Sequence, residues 1–144
     1  MITGSCLCGA VAFEIDGRLT PIQYCHATRC RKATGAAFAA EVAAKASQLR
    51  WLRGRDLVTV YEAPLLREPP PYRTAFCRVC GSPVPVALEG TDLVVLQAGL
   101  LDGDVATRPF RHAFVGQGAS WHTITDDLPR FEHRAPHEGR KSGA

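Results

Sequence analysis

Six cysteines are the residues of this 144-residue chain whose types and spacing are best suited to chemistry. They form three short pairs, Cys6 with Cys8, Cys25 with Cys30, and Cys77 with Cys80. Thiolates one to four residues apart can hold a tetrahedral metal ion from a single tight turn. Glycine follows the first and third pairs directly, and it lets backbone N–H groups approach the sulfurs. The spacing therefore predicts metal ligands.

Disulfide bonds are the competing interpretation of six cysteines. Thiols stay reduced inside cells, where metal binding is the commoner use of such pairs. The first residues of the chain show neither the basic region nor the long apolar region of an export signal. We therefore expect a cytoplasmic protein with reduced cysteines, and zinc as its metal.

Length and charge limit the class of protein. A chain of 144 residues is typical of one domain. No stretch approaches the roughly 20 apolar residues that span a membrane, so we expect a soluble protein with no membrane role. The net charge is +3 and the basic residues are scattered. This pattern argues against a dedicated nucleic-acid binder and leaves small anionic ligands open.

Short apolar runs predict strands around the cysteine pairs. The runs cover residues 11–15, 57–61, 72–76 and 93–96. Two of the pairs, the first and the third, therefore lie at strand ends. Residues 36–45 are ambiguous, because their alanines favour a helix whereas Phe38, Ala40 and Val42 alternate as in a strand. Propensity alone favours the helix.

Two further segments lack regular structure in the sequence. Residues 65–72 contain three consecutive prolines, which predicts a loop, either the edge of a binding cleft or a stiff connector. Residues 133–144 have no apolar periodicity and predict a mobile tail. We therefore expect one zinc-binding domain over residues 1–132, followed by that tail.

The first and third cysteine pairs together supply four thiolates. Four thiolates form a closed tetrahedral set, which is typical of a structural zinc site with no open position for substrate. The predicted ligands of this site are Cys6, Cys8, Cys77 and Cys80.

The second pair is different, because two thiolates alone rarely hold zinc tightly. His26 is a candidate further ligand, although a histidine next to a ligand in sequence often points elsewhere. Positive charge beside Cys25 and Cys30 would favour the thiolate and make either sulfur a candidate nucleophile, with or without a metal. The charged neighbours are Arg29, Arg31 and Lys32, which could equally form a solvated surface.

The motifs around the cysteines closely resemble the glutathione-dependent formaldehyde-activating enzyme family, whose domain is shared by centromere protein V. The similar blocks are residues 4–11, 25–35 and 76–83, with further similarity over 47–54, 108–112 and 121–131. The resemblance therefore extends over nearly the whole predicted domain.

The resemblance implies an all-β, Mss4-like fold of several coiled antiparallel sheets around a structural zinc. It also implies an extended conformation for residues 36–45, against their helix propensity. In the family pattern the second, catalytic zinc is bound by three cysteines, whose matches here are Cys25, Ala27 and Cys30. The middle ligand is therefore an alanine in this chain.

Two functions from different classes follow from the resemblance. The first is a zinc-dependent carbon–sulfur lyase that acts on the adduct of glutathione, or another thiol, with formaldehyde or a related aldehyde. Cys25 and Cys30 would be its catalytic residues, and the neighbouring Arg29, Arg31 and Lys32 would bind the glutathione carboxylates. The second is a non-catalytic zinc module that binds a small ligand or a protein partner. The replacement at Ala27 favours the second function, and the similarity along the whole domain favours the first, which we adopt.

The remaining large side chains have more ordinary interpretations. Trp51 and Trp121 are expected to anchor a core or an interface, as large aromatic residues of small β domains usually do. His112 and His122 are expected to be hydrogen-bonded surface or core residues, with a general base as the alternative. Exposed sheet edges make a homodimer possible.

Overall fold

Strands dominate the computed structural model, which describes residues 1–64 and 71–136. Its elements, in chain order, are β1 (Ile2–Ser5), β2 (Ala12–Ile15), β3 (Ile22–Cys25), α1 (Thr28–Thr34), β4 (Ala39–Lys45), β5 (Leu49–Arg53), β6 (Val58–Glu62), β7 (Arg73–Cys77), β8 (Pro83–Val84), β9 (Val86–Leu88), β10 (Leu93–Gln97) and β11 (Pro109–Ala113). The all-β prediction is confirmed.

The chain divides into two compact units. Unit 1 is built from Met1–Ile22 and Ala40–Arg108, and unit 2 from Gln23–Ala39 and the residues from Pro109 onward. Unit 1 therefore contains the first and third cysteine pairs, and unit 2 contains the second pair.

Antiparallel sheets build unit 1. One has the strand order β1-β2-β5, another has the order β6-β7-β8, and β4 pairs with β10, which pairs in turn with β9. In the first sheet Gly4 of β1 lies opposite Phe13 of β2, and the Phe13 ring comes close to the Gly4 backbone. A Cβ at Gly4 would lie 2.5 Å from the Phe13 ring, so only glycine lets that ring pack there.

For residues 36–45, propensity favours a helix and the resemblance implies a strand. The helix favoured by propensity is wrong, and the strand implied by the resemblance is confirmed as β4. Ala39, Val42 and Ala44 are buried along it. Pairing with β10, in which Val42 lies opposite Leu96, outweighs the small intrinsic helix preference of alanine.

The other strand predictions are confirmed within a residue or two. The runs at 11–15, 57–61, 72–76 and 93–96 correspond to β2, β6, β7 and β10. In the predicted loop, residues 65–70 lie outside the described residues. No helix in the described part of the chain is long and apolar enough to cross a membrane.

The predicted tail is described only at its start, since residues 137–144 lie outside the described residues. The backbone of His133 accepts a hydrogen bond from the Phe114 N–H at 2.9 Å, and Ala135 is buried. These contacts attach the start of the segment to unit 2. The domain boundary at residue 132 stays a prediction.

Gly54 offers a test of the packing in unit 1. It has a φ of 74°, and a Cβ there would lie 2.1 Å from the Ala10 carbonyl oxygen. Gly90 has a φ of 76° with open space around it. We expect Gly90→Ala to lower the free energy of unfolding by about 1–2 kcal/mol through backbone strain alone. Gly54→Ala adds a backbone clash and should cost about 3 kcal/mol or more.

Urea denaturation of the two variants and the parent protein measures both losses. Because the two glycines share nearly the same backbone conformation, the difference between the variants isolates the clash. Equal losses would contradict the close approach of Gly54 to Ala10.

Candidate functional site

Four cysteine sulfurs converge in unit 1. The sulfurs of Cys6, Cys8, Cys77 and Cys80 all lie within 4.8 Å of one another. Cys8 Sγ lies 3.6 Å from Cys6 Sγ and 3.9 Å from Cys77 Sγ. Metal–sulfur bonds of about 2.3 Å in a tetrahedron give sulfur–sulfur edges of about 3.8 Å. The cluster therefore fits a metal ion with four thiolate ligands.

Two similar turns at strand ends build this cluster. The Gly9 N–H donates to the Cys6 carbonyl at 3.1 Å, and the Gly81 N–H donates to the Cys77 carbonyl at 2.7 Å. Both glycines have φ near +76°, a conformation that costs other residues strain. The glycine after each pair is thus required by the turn that brings its two sulfurs together.

Backbone N–H groups stabilise negative charge in the cluster. The pKa of Cys80 is lowered to about 5, because the N–H groups of Ser82 and Cys8 point at its sulfur. The Ala10 N–H lowers the pKa of Cys8, but desolvation and the other sulfurs outweigh it and raise that pKa to about 11. Without a cation the four sulfurs therefore resist full ionisation, which a bound metal would reverse.

The two predicted aromatic anchors differ. The Trp51 ring meets the Phe13 ring edge-on, with 6.1 Å between centroids, and packs against the apolar cluster beside the sulfurs. Trp51 is thus a core residue of unit 1. Trp121 in unit 2 is 72% exposed, so the core interpretation is wrong for it. It lies in a segment without regular structure, which leaves its indole uncovered among the described residues.

The second cysteine pair lies in unit 2. Cys25 ends β3, and Cys30 lies on the buried side of α1. Both side chains are buried, and the Cys30 thiol donates to the Cys25 sulfur at 2.9 Å. These two sulfurs could hold a metal ion. Two thiolates occupy only part of a tetrahedral coordination sphere, so other ligands would have to complete it.

The short helix α1 sets the position of Cys30. Ala27 precedes the helix, and the Ala27 carbonyl accepts a hydrogen bond from the Arg31 N–H at 2.9 Å. Gly35 ends it with a φ of 67°, and its N–H donates to the Arg31 carbonyl at 2.8 Å. The Ala27 methyl is buried and offers no ligand. The side chain that the resemblance aligns with the middle cysteine of the family pattern therefore contributes packing only.

The three basic residues near Cys30 have different surroundings. Arg31 Nε donates to the Gln117 carbonyl at 3.0 Å, and the Arg29 guanidinium lies 5.6 Å from the centroid of the Phe114 ring. Lys32 is exposed. Phe114 has a φ of 55°, a strained conformation for a non-glycine residue. Two of the cations are thus held against the turn that follows β11, and the third faces solvent.

A chain of polar side chains also crosses unit 2. His26 Nε2 lies 2.8 Å from His112 Nδ1, and His112 Nε2 lies 3.0 Å from both carboxylate oxygens of Asp126. His26 and His112 are only 2% and 1% exposed. The rings of Tyr24 and Phe38 pack around them. Each buried imidazole therefore has a hydrogen-bond partner, as burial of a polar group requires.

Burial and charge give His26 and Asp126, at the two ends of this hydrogen-bonded series, different charge states. Burial, and then the neighbouring His112 and His122, lower the pKa of His26 to about 4, outweighing Asp126. His26 is therefore neutral at physiological pH. Burial would raise the pKa of Asp126, but the Leu128 N–H, which donates to Oδ1 at 3.0 Å, and His112 hold it below its usual value. Asp126 is therefore an ionised carboxylate.

The sequence predicts only part of this hydrogen-bonded series of side chains. The expectation was a hydrogen-bonded surface or core residue at each position. His112 is a hydrogen-bonded core residue, and His122 lies at the surface. His26 was considered as a metal ligand, but its Nε2 is bonded to His112. Asp126 was not singled out. The available signal was its turn-forming position two residues before Leu128, whose N–H it accepts.

Comparison with known proteins places the chain in a family. A crystal structure of a Rhodobacter sphaeroides protein is similar, with a TM-score of 0.53 and 24% identity, covering 74% of this chain and 97% of that one. This likeness shows a shared fold. No curated protein matches the chain. Residues 1–117 of the 144 match the family described as glutathione-dependent formaldehyde-activating enzyme. The chain therefore belongs to the glutathione-dependent formaldehyde-activating enzyme family.

Proposed function

We propose that the protein joins glutathione to formaldehyde to give S-hydroxymethylglutathione, and cleaves the same adduct in reverse, at the Cys25–Cys30 pair. The observation that carries this proposal is the buried sulfur pair, 2.9 Å apart, in a chain of this family. In the forward direction a carbon–sulfur bond forms and the carbonyl π bond opens. The proton lost by the thiol ends on the former carbonyl oxygen, so the reaction needs no oxidant or reductant.

Zinc is the metal that both groups of cysteines suit best, because thiolates are its preferred ligands in tetrahedral sites. The cluster of Cys6, Cys8, Cys77 and Cys80 would hold a structural ion with a closed coordination sphere. Cys25 and Cys30 would hold a second ion more weakly. When bound there, zinc supplies Lewis acidity and favours the thiolate form of a substrate thiol.

The residues around the second pair support binding of a small anionic thiol. Burial of Cys25 and Cys30 would keep bulk water away from the sulfur of a substrate thiol bound beside them. Arg29, Arg31 and Lys32 would bind the two carboxylates of glutathione, since guanidinium groups pair bidentately with carboxylates. The short helix α1 carries all three cations together with Cys30.

A non-catalytic binding module is the second candidate, and Ala27 is the observation that favours it. The buried methyl of Ala27 stands where the family pattern has a cysteine ligand. A protein of this kind would keep the four-sulfur cluster for stability and would bind glutathione, or another ligand, without turnover. Activity measurements separate the two candidates.

We expect the protein to accelerate exchange between free glutathione and its formaldehyde adduct. Two-dimensional exchange NMR measures this rate against the spontaneous reaction in a protein-free mixture. Cys30→Ser removes one reacting-site thiolate, and its rate should fall to the spontaneous value. Ala33→Ser, an exposed change on the same helix, should keep the parent rate.

A parent protein that binds glutathione but leaves the exchange rate at its spontaneous value would support the binding module instead. Parent-level exchange in Cys30→Ser would contradict a reaction at the sulfur pair.

The four-sulfur cluster should be required for the fold of unit 1. Cys77→Ser removes a buried ligand, so we expect loss of one metal ion per chain and a fall of about 4 kcal/mol or more in the free energy of unfolding. Elemental mass spectrometry and thermal unfolding measure the two effects. The exposed neighbour Arg78 provides the control variant Arg78→Ser, which should change neither. A metal-free protein as stable as the metal-bound form would contradict a structural ion.

Restoring the missing ligand should strengthen the second metal site. We expect Ala27→Cys to raise the affinity for the second zinc ion and the exchange rate together, because a third thiolate adds to the chelate. Ala33→Cys adds a thiol at an exposed position of the same helix and should do neither. Tighter metal binding in Ala27→Cys without a change in exchange rate would count against a reaction at this metal.

A further inference from the structure

The helix α1, which carries Cys30, has no local cap at its start. Its seven residues, Thr28–Thr34, are too few for a helix that is stable alone. The first N–H groups of any helix have no partner within it. Ala27 is at the N-cap position, and its methyl group cannot accept a hydrogen bond from them. Contacts with other segments of unit 2 therefore decide where the start of α1 lies.

Gln117 supplies the missing cap from a distant part of the chain. Its side-chain oxygen Oε1 accepts a hydrogen bond from the N–H of Thr28, the first residue of the helix, at 2.9 Å. These two residues are 89 apart in sequence. The backbone carbonyl of Gln117 accepts a second bond, from Arg31 Nε, at 3.0 Å. Gln117 therefore contacts α1 both before and after Cys30 in the sequence.

The backbone around Gln117 is itself held in place. Gln117 ends the short 3₁₀ turn Val115–Gln117. The N–H groups of residues 114–116 donate to carbonyls of residues 131–133 at distances of 2.9–3.2 Å. These bonds hold Phe114 in its strained backbone conformation, with a φ of 55°. The turn is thus a fixed support from which the Gln117 side chain reaches α1.

The separation of the two sulfurs depends on this contact through Cys30. Cys25 ends β3, which pairs with β11, whereas Cys30 lies on α1. Their sulfurs are 2.9 Å apart, so a small movement of α1 would change the separation while Cys25 stays with its strand. In the family pattern a metal ligand at position 27 would tie the start of the helix to the metal. The Ala27 methyl cannot do this, which leaves the hydrogen bonds of Gln117 to hold it.

We propose that Gln117 is a positioning residue for the sulfur pair, and that its side chain fixes the start of α1 so that Cys30 stays against Cys25. The inference rests on the proposed function for the reaction that this geometry serves. Gln117 is exposed, so water reaches its contact with Thr28. We therefore expect an effect the size of a helix cap, which is several-fold in an equilibrium constant.

Disulfide formation measures how firmly the two sulfurs are held together, without any turnover. When the pair is oxidised by glutathione disulfide, two protein thiols lose their protons and form one S–S bond, and the reagent is reduced to two molecules of glutathione. The equilibrium constant rises as the fold holds one thiol closer to the other. It is measured after a chelator has removed metal from the pair, and peptide mass spectrometry counts the Cys25–Cys30 disulfide separately from any other.

Gln117→Met removes the acceptor oxygen and keeps a side chain of similar length. We expect the equilibrium constant for the Cys25–Cys30 disulfide to fall roughly fivefold, because the start of α1 loses its cap. Gln117→Glu keeps an acceptor oxygen, and negative charge is favourable at a helix N-terminus. Its equilibrium constant should therefore stay within about twofold of the parent value.

Thr107→Val is a matched control in unit 1. It removes one hydrogen bond of similar length, the 2.8 Å bond from the Thr107 hydroxyl to the Thr20 carbonyl, far in sequence from α1. The disulfide constant of this variant should equal that of the parent protein. A fall as large as that of Gln117→Met would overturn the inference, since it would reflect the stability of the chain in general.

The two variants at Gln117 decide the role of its side chain. A parent-level disulfide constant in Gln117→Met, or equal falls in Gln117→Met and Gln117→Glu, would overturn the inference. The rate of exchange between glutathione and its formaldehyde adduct should follow the same order, low with methionine and near the parent rate with glutamate. Absence of exchange in the parent protein would refute the proposed function, whereas the disulfide constants would still decide whether Gln117 positions Cys30.

Discussion

The convergence of four sulfurs in unit 1 is the constraint on which its sheets depend. Cys8 and Cys77 are 69 residues apart in sequence, yet their sulfurs are 3.9 Å apart. Closing so long a loop has an entropic cost, and crowding of thiolates adds an electrostatic one. A bound cation would offset both, and the two glycine turns present the sulfurs to it. One of these turns lies between β1 and β2, and the other lies between β7 and β8.

In unit 2 the main constraint is the burial of polar and reactive side chains. Its two buried histidines are hydrogen-bonded to each other, and His112 is also hydrogen-bonded to the carboxylate of Asp126, so each buried imidazole has a partner. The sulfur pair is buried in the same unit. A four-sulfur cluster that could hold a metal ion in one unit, and a pair of only two sulfurs in the other, would separate folding from chemistry, which is the division that the proposed function requires.

Local patterns predicted the strands and the cysteine groups, because alternation and ligand spacing are properties of neighbouring residues. Propensity failed at β4, since pairing with β10 is a tertiary contact that outweighs it. The contact between His26 and His112 joins residues 86 apart, and no local pattern encodes it. The turn at Asp126 is a local feature, but the contact of Asp126 with His112 joins residues 14 apart and is not. The core interpretation is wrong for Trp121, because aromatic size predicts burial only on average.

The metal content of the parent protein shows whether the Cys25–Cys30 pair holds a zinc ion in addition to the one expected at the four-sulfur cluster. Native mass spectrometry, with and without glutathione, counts the ions and identifies them by mass. We predict two zinc ions per chain, of which the one at Cys25 and Cys30 is removed first by a competing chelator and is retained better with glutathione present. One ion under both conditions, with a free or oxidised Cys25–Cys30 pair, would contradict a metal-dependent reaction at that site.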